Sequence, residues 1–282
     1  MSSRVRFVLL ACIVAALAFG ASACTKPEPA APKPAVSAPT ELSGSITIAG
    51  STSVQPVSEL LAEAFKSKHP KTTIYVQGGG SSAGVKAADT GTAQIGASSR
   101  DLKPDEKHLT QFVIGIDGIA VIVHPSNAIA DLSLEQVRDI YIGKITNWRD
   151  VGGPDSPIVA VTREEGSGTR GAFEEVVMKG EPISSGAIVQ NSTGAVATTV
   201  SGDKNAIGYV SLAALTSSVK AIKVDGVEPT VENIVSKSYK VARPFLYLTK
   251  GEPQALAKQF IDFVMSADGQ AIVQKAGLVS TR

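Results

Sequence analysis

Four short apolar runs in this chain end in turns of serine, threonine and glycine, and three of those turns open directly into a helical pattern. Ser45-Ile46-Thr47-Ile48-Ala49 runs into Gly50-Ser51-Thr52-Ser53, ahead of a helix predicted over Gln55–Lys68 with Val57, Leu60, Leu61, Ala64 and Phe65 on one face. Thr73-Ile74-Tyr75-Val76 runs into Gln77-Gly78-Gly79-Gly80-Ser81-Ser82. Gln94-Ile95-Gly96-Ala97 runs into Ser98-Ser99-Arg100-Asp101. Ile158-Val159-Ala160-Val161 leads to Arg163-Glu164-Glu165-Gly166-Ser167-Gly168-Thr169-Arg170, and then to a helical pattern over Gly171–Met178. Such alternation argues for an α/β architecture with mostly parallel sheets. In such sheets ligands gather beyond the carboxyl ends of strands, where these four turns fall. Asn191-Ser192-Thr193-Gly194, ahead of a helix of small residues over Ala195–Ser201, is a candidate fifth.

Any one of these turns is explained as an ordinary capped helix start, which needs a single hydroxyl. Their shared composition is not. The Arg163–Arg170 turn adds two glycines and two arginines. Backbone N–H groups, hydroxyls and a guanidinium fork can all be aimed there at one anion, with a helix N-terminus behind them. The glycine run at Gln77 is not a dinucleotide fingerprint, because its spacing is wrong and no acid follows at the required distance; it is not a P-loop, because no lysine precedes the hydroxyls.

Elsewhere Asp105–Leu109 reads as a short helix, and Phe112–Ile116 and Gly118–Val123 as two apolar runs on either side of Asp117. A carboxylate so placed needs donors or a proton to share. Leu134–Ile140 reads as helix, Gly143–Trp148 as a turn, Ala206–Val210 and Pro244–Thr249 as strands, and Pro253–Met265 and Ala267–Lys275 as helices. His69, His108 and His124 are scattered and form no metal-ligand set. Gly166-Ser167-Gly168 lacks the flank of a nucleophile elbow.

Composition narrows the partner. With 43% hydrophobic residues the chain can bury a core for one large domain or two lobes. A formal net charge of +1 gives no electrostatic case for nucleic acid or an anionic membrane surface. An anion would be held by local geometry. The first 23 residues read as a signal peptide: Arg4 and Arg6, an apolar stretch from Phe7 to Phe19, and Ala21-Ser22-Ala23. Cys24 then stands where a bacterial lipoprotein carries its lipid, although Ala21 replaces the usual leucine; the alternative is ordinary cleavage after Ala23. Once Cys12 is removed with the leader, Cys24 is left with no partner for a disulfide. Residues 24–43, rich in proline and alanine, read as an extended tether. The expected location is the cell envelope, facing the periplasm or the outside and held by lipid alone.

Across about Gly44–Ala276 the sequence resembles the phosphate-binding proteins that serve bacterial phosphate ABC transporters. The segments carrying the resemblance are Ala49–Ser53, Gln77–Val85, Ile140–Trp148, Arg163–Thr169 and Ala206–Val210. The resemblance implies a two-lobed periplasmic-binding-protein fold of type II, with a two-segment hinge and a central ligand cleft. Lobe one would be 44–119 plus 212–282 and lobe two 120–211, with crossovers near Asp117–Val123 and Tyr209–Leu215. It implies phosphate contacts from Thr52, Ser53, Ser81, Ser99, Arg100, Arg163, Ser167, Gly168 and Thr169, with Glu165 orienting Arg163. Many relatives carry an aspartate in the turn after the third strand, as acceptor for the proton of phosphate. Here that turn reads Ser98-Ser99-Arg100, so the acceptor is expected at Asp117, or alternatively at Asp101. A fixed acceptor favours protonated phosphate and repels sulfate.

The implied function is a non-catalytic receptor: it closes on phosphate, then docks on transmembrane permease subunits of an ABC transporter. It would be a monomer, with no cofactor, metal or nucleic acid. The competing readings are a receptor for another oxyanion, such as sulfate or molybdate, and a secreted phosphohydrolase.

Overall fold

The computed structural model describes residues 41–282. The expected signal peptide, Cys24 and all but the last three residues of the tether lie outside that range. The described chain gives eleven strands and eight α-helices. In order these are β1 (Gly44–Gly50), α1 (Gln55–Lys68), β2 (Thr72–Gly78), α2 (Ser81–Thr90), β3 (Ile95–Ser98), β4 (Thr110–Val123), β5 (Asp131–Leu132), α3 (Leu134–Tyr141) and β6 (Val159–Arg163). There follow α4 (Gly168–Phe173), β7 (Ile188–Gln190), α5 (Thr193–Gly202), β8 (Ala206–Ser211), β9 (Lys220–Ala221), β10 (Lys223–Val224), α6 (Val231–Val235), β11 (Ala242–Thr249), α7 (Ala255–Val264) and α8 (Ala267–Lys275).

Eight strands lie side by side in the order β2-β1-β3-β11-β4-β8-β6-β7, and β9 pairs with the end of β4. β1 pairs in parallel with β2 and β3, and β6 pairs in parallel with β7 and β8. The middle is antiparallel, through β11 against β3 and β4, and β4 against β8. Each parallel flank is therefore a set of strand–turn–helix units whose turns open at the same end.

Two main cores explain the division into lobes. Ile46, Ile48, Leu61, Phe65, Phe245, Tyr247 and Phe260 form the first. Ile119, Val121, Tyr141, Trp148, Phe173 and Tyr209 belong to the second, where Phe173 stacks on Tyr209 with centroids 4.0 Å apart. β4 serves both. Ile114 lies in the first core and Ile119 in the second, so the chain changes lobe in mid-strand. The two apolar runs expected around Asp117 are one continuous strand of 14 residues. The short helix expected over Asp105–Leu109 is a single 3-10 turn, Pro104–Glu106, because the chain must straighten into β4 at Thr110.

The lobe boundary expected at 212 moves. Ala213 packs on the first core, but Val219 joins a cluster around Val121's neighbours Ala120 and Ile122. Ile222, Val224, Ile234, Tyr239 and Val241 belong to the second core. Only with Phe245 on β11 does the chain return to the first. The signal was weak because β9 and β10 are two residues each, too short to show a period.

Candidate functional site

The five turns at the carboxyl ends of β1, β2, β3, β6 and β7 converge. From lobe one come Ser51, Thr52, Ser53, Ser81 and Ser99; from lobe two come Arg163, Ser167, Gly168, Thr169 and Thr193. Ser51, Ser53, Ser81, Ser99, Arg163, Ser167, Thr169 and Thr193 are all buried. Ser53 Oγ shares hydrogen bonds with Thr169 Oγ1 at 2.8 Å and Thr193 Oγ1 at 2.7 Å, joining the lobes. Arg163 Nη2 donates across the cleft to Thr52 Oγ1 at 3.2 Å, and Nη1 donates to Thr193 Oγ1 at 3.1 Å. Thr193 N donates to Thr52 Oγ1 at 3.2 Å.

A second cluster adjoins the first. Ser51 Oγ donates to Ser99 Oγ at 2.9 Å, and Ser99 N donates to Ser81 Oγ at 3.0 Å. Gly168 is pressed against these two side chains: a Cβ added there would lie 2.2 Å from Ser81 Oγ and 2.7 Å from Ser99 Oγ. Gly80, with φ +87°, makes the bend that turns β2 into α2. Beside it Ser82 N donates to Gly166 O at 3.1 Å, a main-chain link between the lobes. Ser167 also caps its helix, accepting from Arg170 N at 3.2 Å, so the bland and the functional readings of this turn coexist.

Four expected residues fall elsewhere. Glu165 is exposed, and the acid that holds Arg163 is Glu164: Arg163 Nε and Nη2 donate to its two oxygens, each at 2.9 Å. Glu164 N still bonds Gln190 O beside β7, so the chain turns away only at Glu165. Arg100 is buried, but its guanidinium is spent on Glu106, through bonds of 2.6 and 2.8 Å. That contact holds the Glu106 carboxyl below its usual range. Asp117 does not join the hydroxyl cluster. Its Oδ1 accepts from Ser211 Oγ at 2.9 Å and Ala213 N at 3.3 Å, and its Oδ2 lies 3.0 Å from Arg243 Nη2. Its donors are thus structural, and the proton-accepting role expected of it is not supported. Asp101 is exposed and makes no side-chain bond to the cluster.

Thr193, Ser51 and Glu164 enter the site without having been singled out. Thr193 sits in the turn suggested as a fifth, and its hydroxyl meets Thr52, Ser53 and Arg163. Chemically the site is a closed set of neutral hydroxyl donors, two helix-start turns from each lobe, and one guanidinium held by one carboxylate. Such a set suits a compact anion with several acceptor oxygens.

Residues 35–268 match the family model of the PBP superfamily domain. The phosphate-binding protein PstS of Bacillus subtilis is 35% identical over 243 residues, covering 84% of this chain and 81% of that protein. A phosphate ABC transporter substrate-binding protein of Clostridium perfringens, crystallised with bound phosphate, is 49% identical with a TM-score of 0.82, covering 85% of this chain and all of that one. An ABC-type phosphate transport receptor of Vibrio cholerae is 38% identical with a TM-score of 0.69, covering 83% of this chain and 99% of that one. A two-lobed α/β chain that closes hydroxyl-rich turns and one arginine on a common point, with these relatives, belongs to the PBP superfamily and, within it, to the family of phosphate-binding proteins of ABC transporters.

Proposed function

We propose that this protein binds inorganic phosphate between its lobes and delivers it to the membrane permease of an ABC importer. The observation that carries the reading is the interlobe cluster of Thr52, Ser53, Thr169 and Thr193 around Arg163. Hydroxyls that now bond one another rotate to donate to phosphate oxygens, and Arg163 supplies the charge. Ser81, Ser99, Ser167 and the backbone N–H of Gly168 complete the shell. Because these groups come from both lobes, phosphate binds the closed arrangement better than the open one and shifts the protein toward closure. The closed form is what the permease recognises.

Among the described residues, Glu164 is the one carboxylate bonded to the cluster, through Arg163. The proton of phosphate is accepted by hydroxyl oxygens, each of which can accept while donating to a neighbour. The role is binding without catalysis, as a monomer. Among the described residues no helix is long and apolar enough to cross a membrane. Export and a lipid on Cys24 supply the membrane attachment, which labelling of cells with a fatty-acid probe and a Cys24→Ser control tests.

Calorimetric titration with phosphate, then with sulfate and molybdate, tests the function. Tight phosphate binding with much weaker binding of the other two supports it. Sulfate or molybdate binding as tightly as phosphate assigns the protein to another oxyanion. Phosphate release from a chromogenic ester, lost in Ser167→Ala, would make it a hydrolase.

A further inference from the structure

The guanidinium of Arg243 is 2% exposed, and its Nε, Nη1 and Nη2 have no hydrogen-bond partner among the described residues. Buried donors left unbonded are rare and costly, so such a group calls for a purpose. Arg243 faces Asp117 across β11 and β4, where Nη2 and Oδ2 approach to 3.0 Å but stand out of line for a hydrogen bond. The other oxygen of Asp117 is taken by Ser211 and Ala213, at the end of β8. The pair therefore sits where β4, the turn after β8 and the start of β11 all pass between the two cores.

β11 runs antiparallel to β3 with Leu246 opposite Ser98, which carries Arg243 past the carboxyl end of β3, where the Ser99 turn opens. Burial, and with it the positive charge of Arg163, lowers the Arg243 pKa, while Asp117 and the Tyr209 hydroxyl oppose the fall. Tyr209 in turn is bonded to the Arg163 turn, through Thr162 Oγ1 at 2.7 Å. Arg243 thus lies at the end of the sheet where the turns of the site open.

We propose that Arg243 is a positioning residue for the anion: a second guanidinium behind Arg163, held at the lobe crossover by Asp117, that adds positive charge to the closed cleft. The inference rests on the phosphate reading above. Arg163 and Arg243 repel each other until an anion lies near both, so the ligand's own charge favours closure. The contribution of Arg243 then grows with the negative charge of the ligand.

The test is calorimetric titration of inorganic phosphate into the parent protein, Arg243→Lys, Arg243→Met and the double variant Asp117→Asn/Arg243→Met. A parent that does not bind phosphate defeats the functional reading itself; every later outcome concerns Arg243 alone. Arg243→Met is expected to weaken binding by about tenfold or more at about pH 8, and by less at about pH 6, where phosphate carries less charge. Arg243→Lys, which keeps the charge, should stay within about threefold of the parent. The double variant leaves no buried carboxylate unpaired, and it should remain as weak as Arg243→Met. A double variant within about twofold of the parent would overturn the proposal, since Arg243 would then serve only to neutralise Asp117. Should the methionine variants not fold, Arg243→Lys decides: a folded lysine protein weakened by more than about tenfold also overturns it.

Discussion

Arg163 and Glu164 are adjacent in sequence and doubly bonded in space, with Nε and Nη2 of the arginine each 2.9 Å from one oxygen of the carboxylate. This fork leaves Nη1 and the remaining proton of Nη2 for Thr193 and Thr52. Charge-assisted bonds of this type contribute about 1.5–3 kcal/mol each. Glu164→Gln should therefore weaken phosphate binding roughly tenfold or more, by letting the guanidinium leave its direction. Glu165→Gln should leave affinity within about twofold, since that side chain is exposed and faces solvent. Calorimetry on the two variants in parallel checks the assignment; equal losses would mean that the acids act through net charge and not through the fork.

Thr193 ties three site residues together and should be more than a helix-start residue. Its hydroxyl lies 2.7 Å from Ser53 Oγ, 3.3 Å from Thr52 Oγ1 and 3.1 Å from Arg163 Nη1. Thr193→Val keeps the shape and removes the hydroxyl. One neutral hydrogen bond contributes about 0.5–1.5 kcal/mol, and leaving Arg163 short of an acceptor adds to that. A fall in phosphate affinity of about three- to thirtyfold is expected, with little change in melting temperature. Unchanged affinity would remove Thr193 from the site.

The parts of the site that were legible are those with a repeated local signature. Ser, Thr and Gly at the carboxyl end of a strand mark Thr52, Ser81, Ser99 and Ser167 without any knowledge of tertiary structure, because parallel α/β sheets place such turns together. Glu165 is expected where Glu164 is found, since no spacing rule says which of two adjacent acids returns to the arginine; only the place where the chain after β6 parts from β7 decides it. Asp117 was legible as a buried carboxylate but not in its purpose. A buried acid reads the same in sequence whether it awaits a ligand proton or already holds Arg243, Ser211 and Ala213. The lobe boundary failed for a related reason: residues 215–241 cross back to the second core in pieces too short to show periodicity.

Gly168 tests whether the closed arrangement is the binding form. An added Cβ would lie 2.2 Å from Ser81 Oγ and 2.7 Å from Ser99 Oγ, both on the opposite lobe. Overpacking of this kind typically costs about 1–3 kcal/mol, and here the cost falls on closure and not on either core. Gly168→Ala should bind phosphate at least about tenfold more weakly, while melting without ligand near the parent temperature. Small-angle scattering should show a smaller phosphate-induced contraction than in the parent. A variant that closes and binds normally would place the ligand contacts elsewhere.

The hinge carboxylate predicts a pH dependence that does not involve the ligand. Burial raises the Asp117 carboxyl from the ordinary 3.8 to about 6, against the opposing pull of Arg243, Ser211 and the backbone at Ala213. The folded protein therefore holds this proton more tightly than the unfolded chain does. Where the folded state binds more protons, stability falls as pH rises, so this group stabilises the fold at low pH and loses that contribution between about pH 4 and about pH 6. Above that window its effect is constant. Asp117→Asn removes the titration and keeps the shape. Melting temperatures of parent and variant, measured from about pH 4 to about pH 8, should differ by an amount that moves against the parent through the window and then levels off. A difference that shifts in the parent's favour with rising pH would mean that Arg243 outweighs burial and holds the carboxylate ionised.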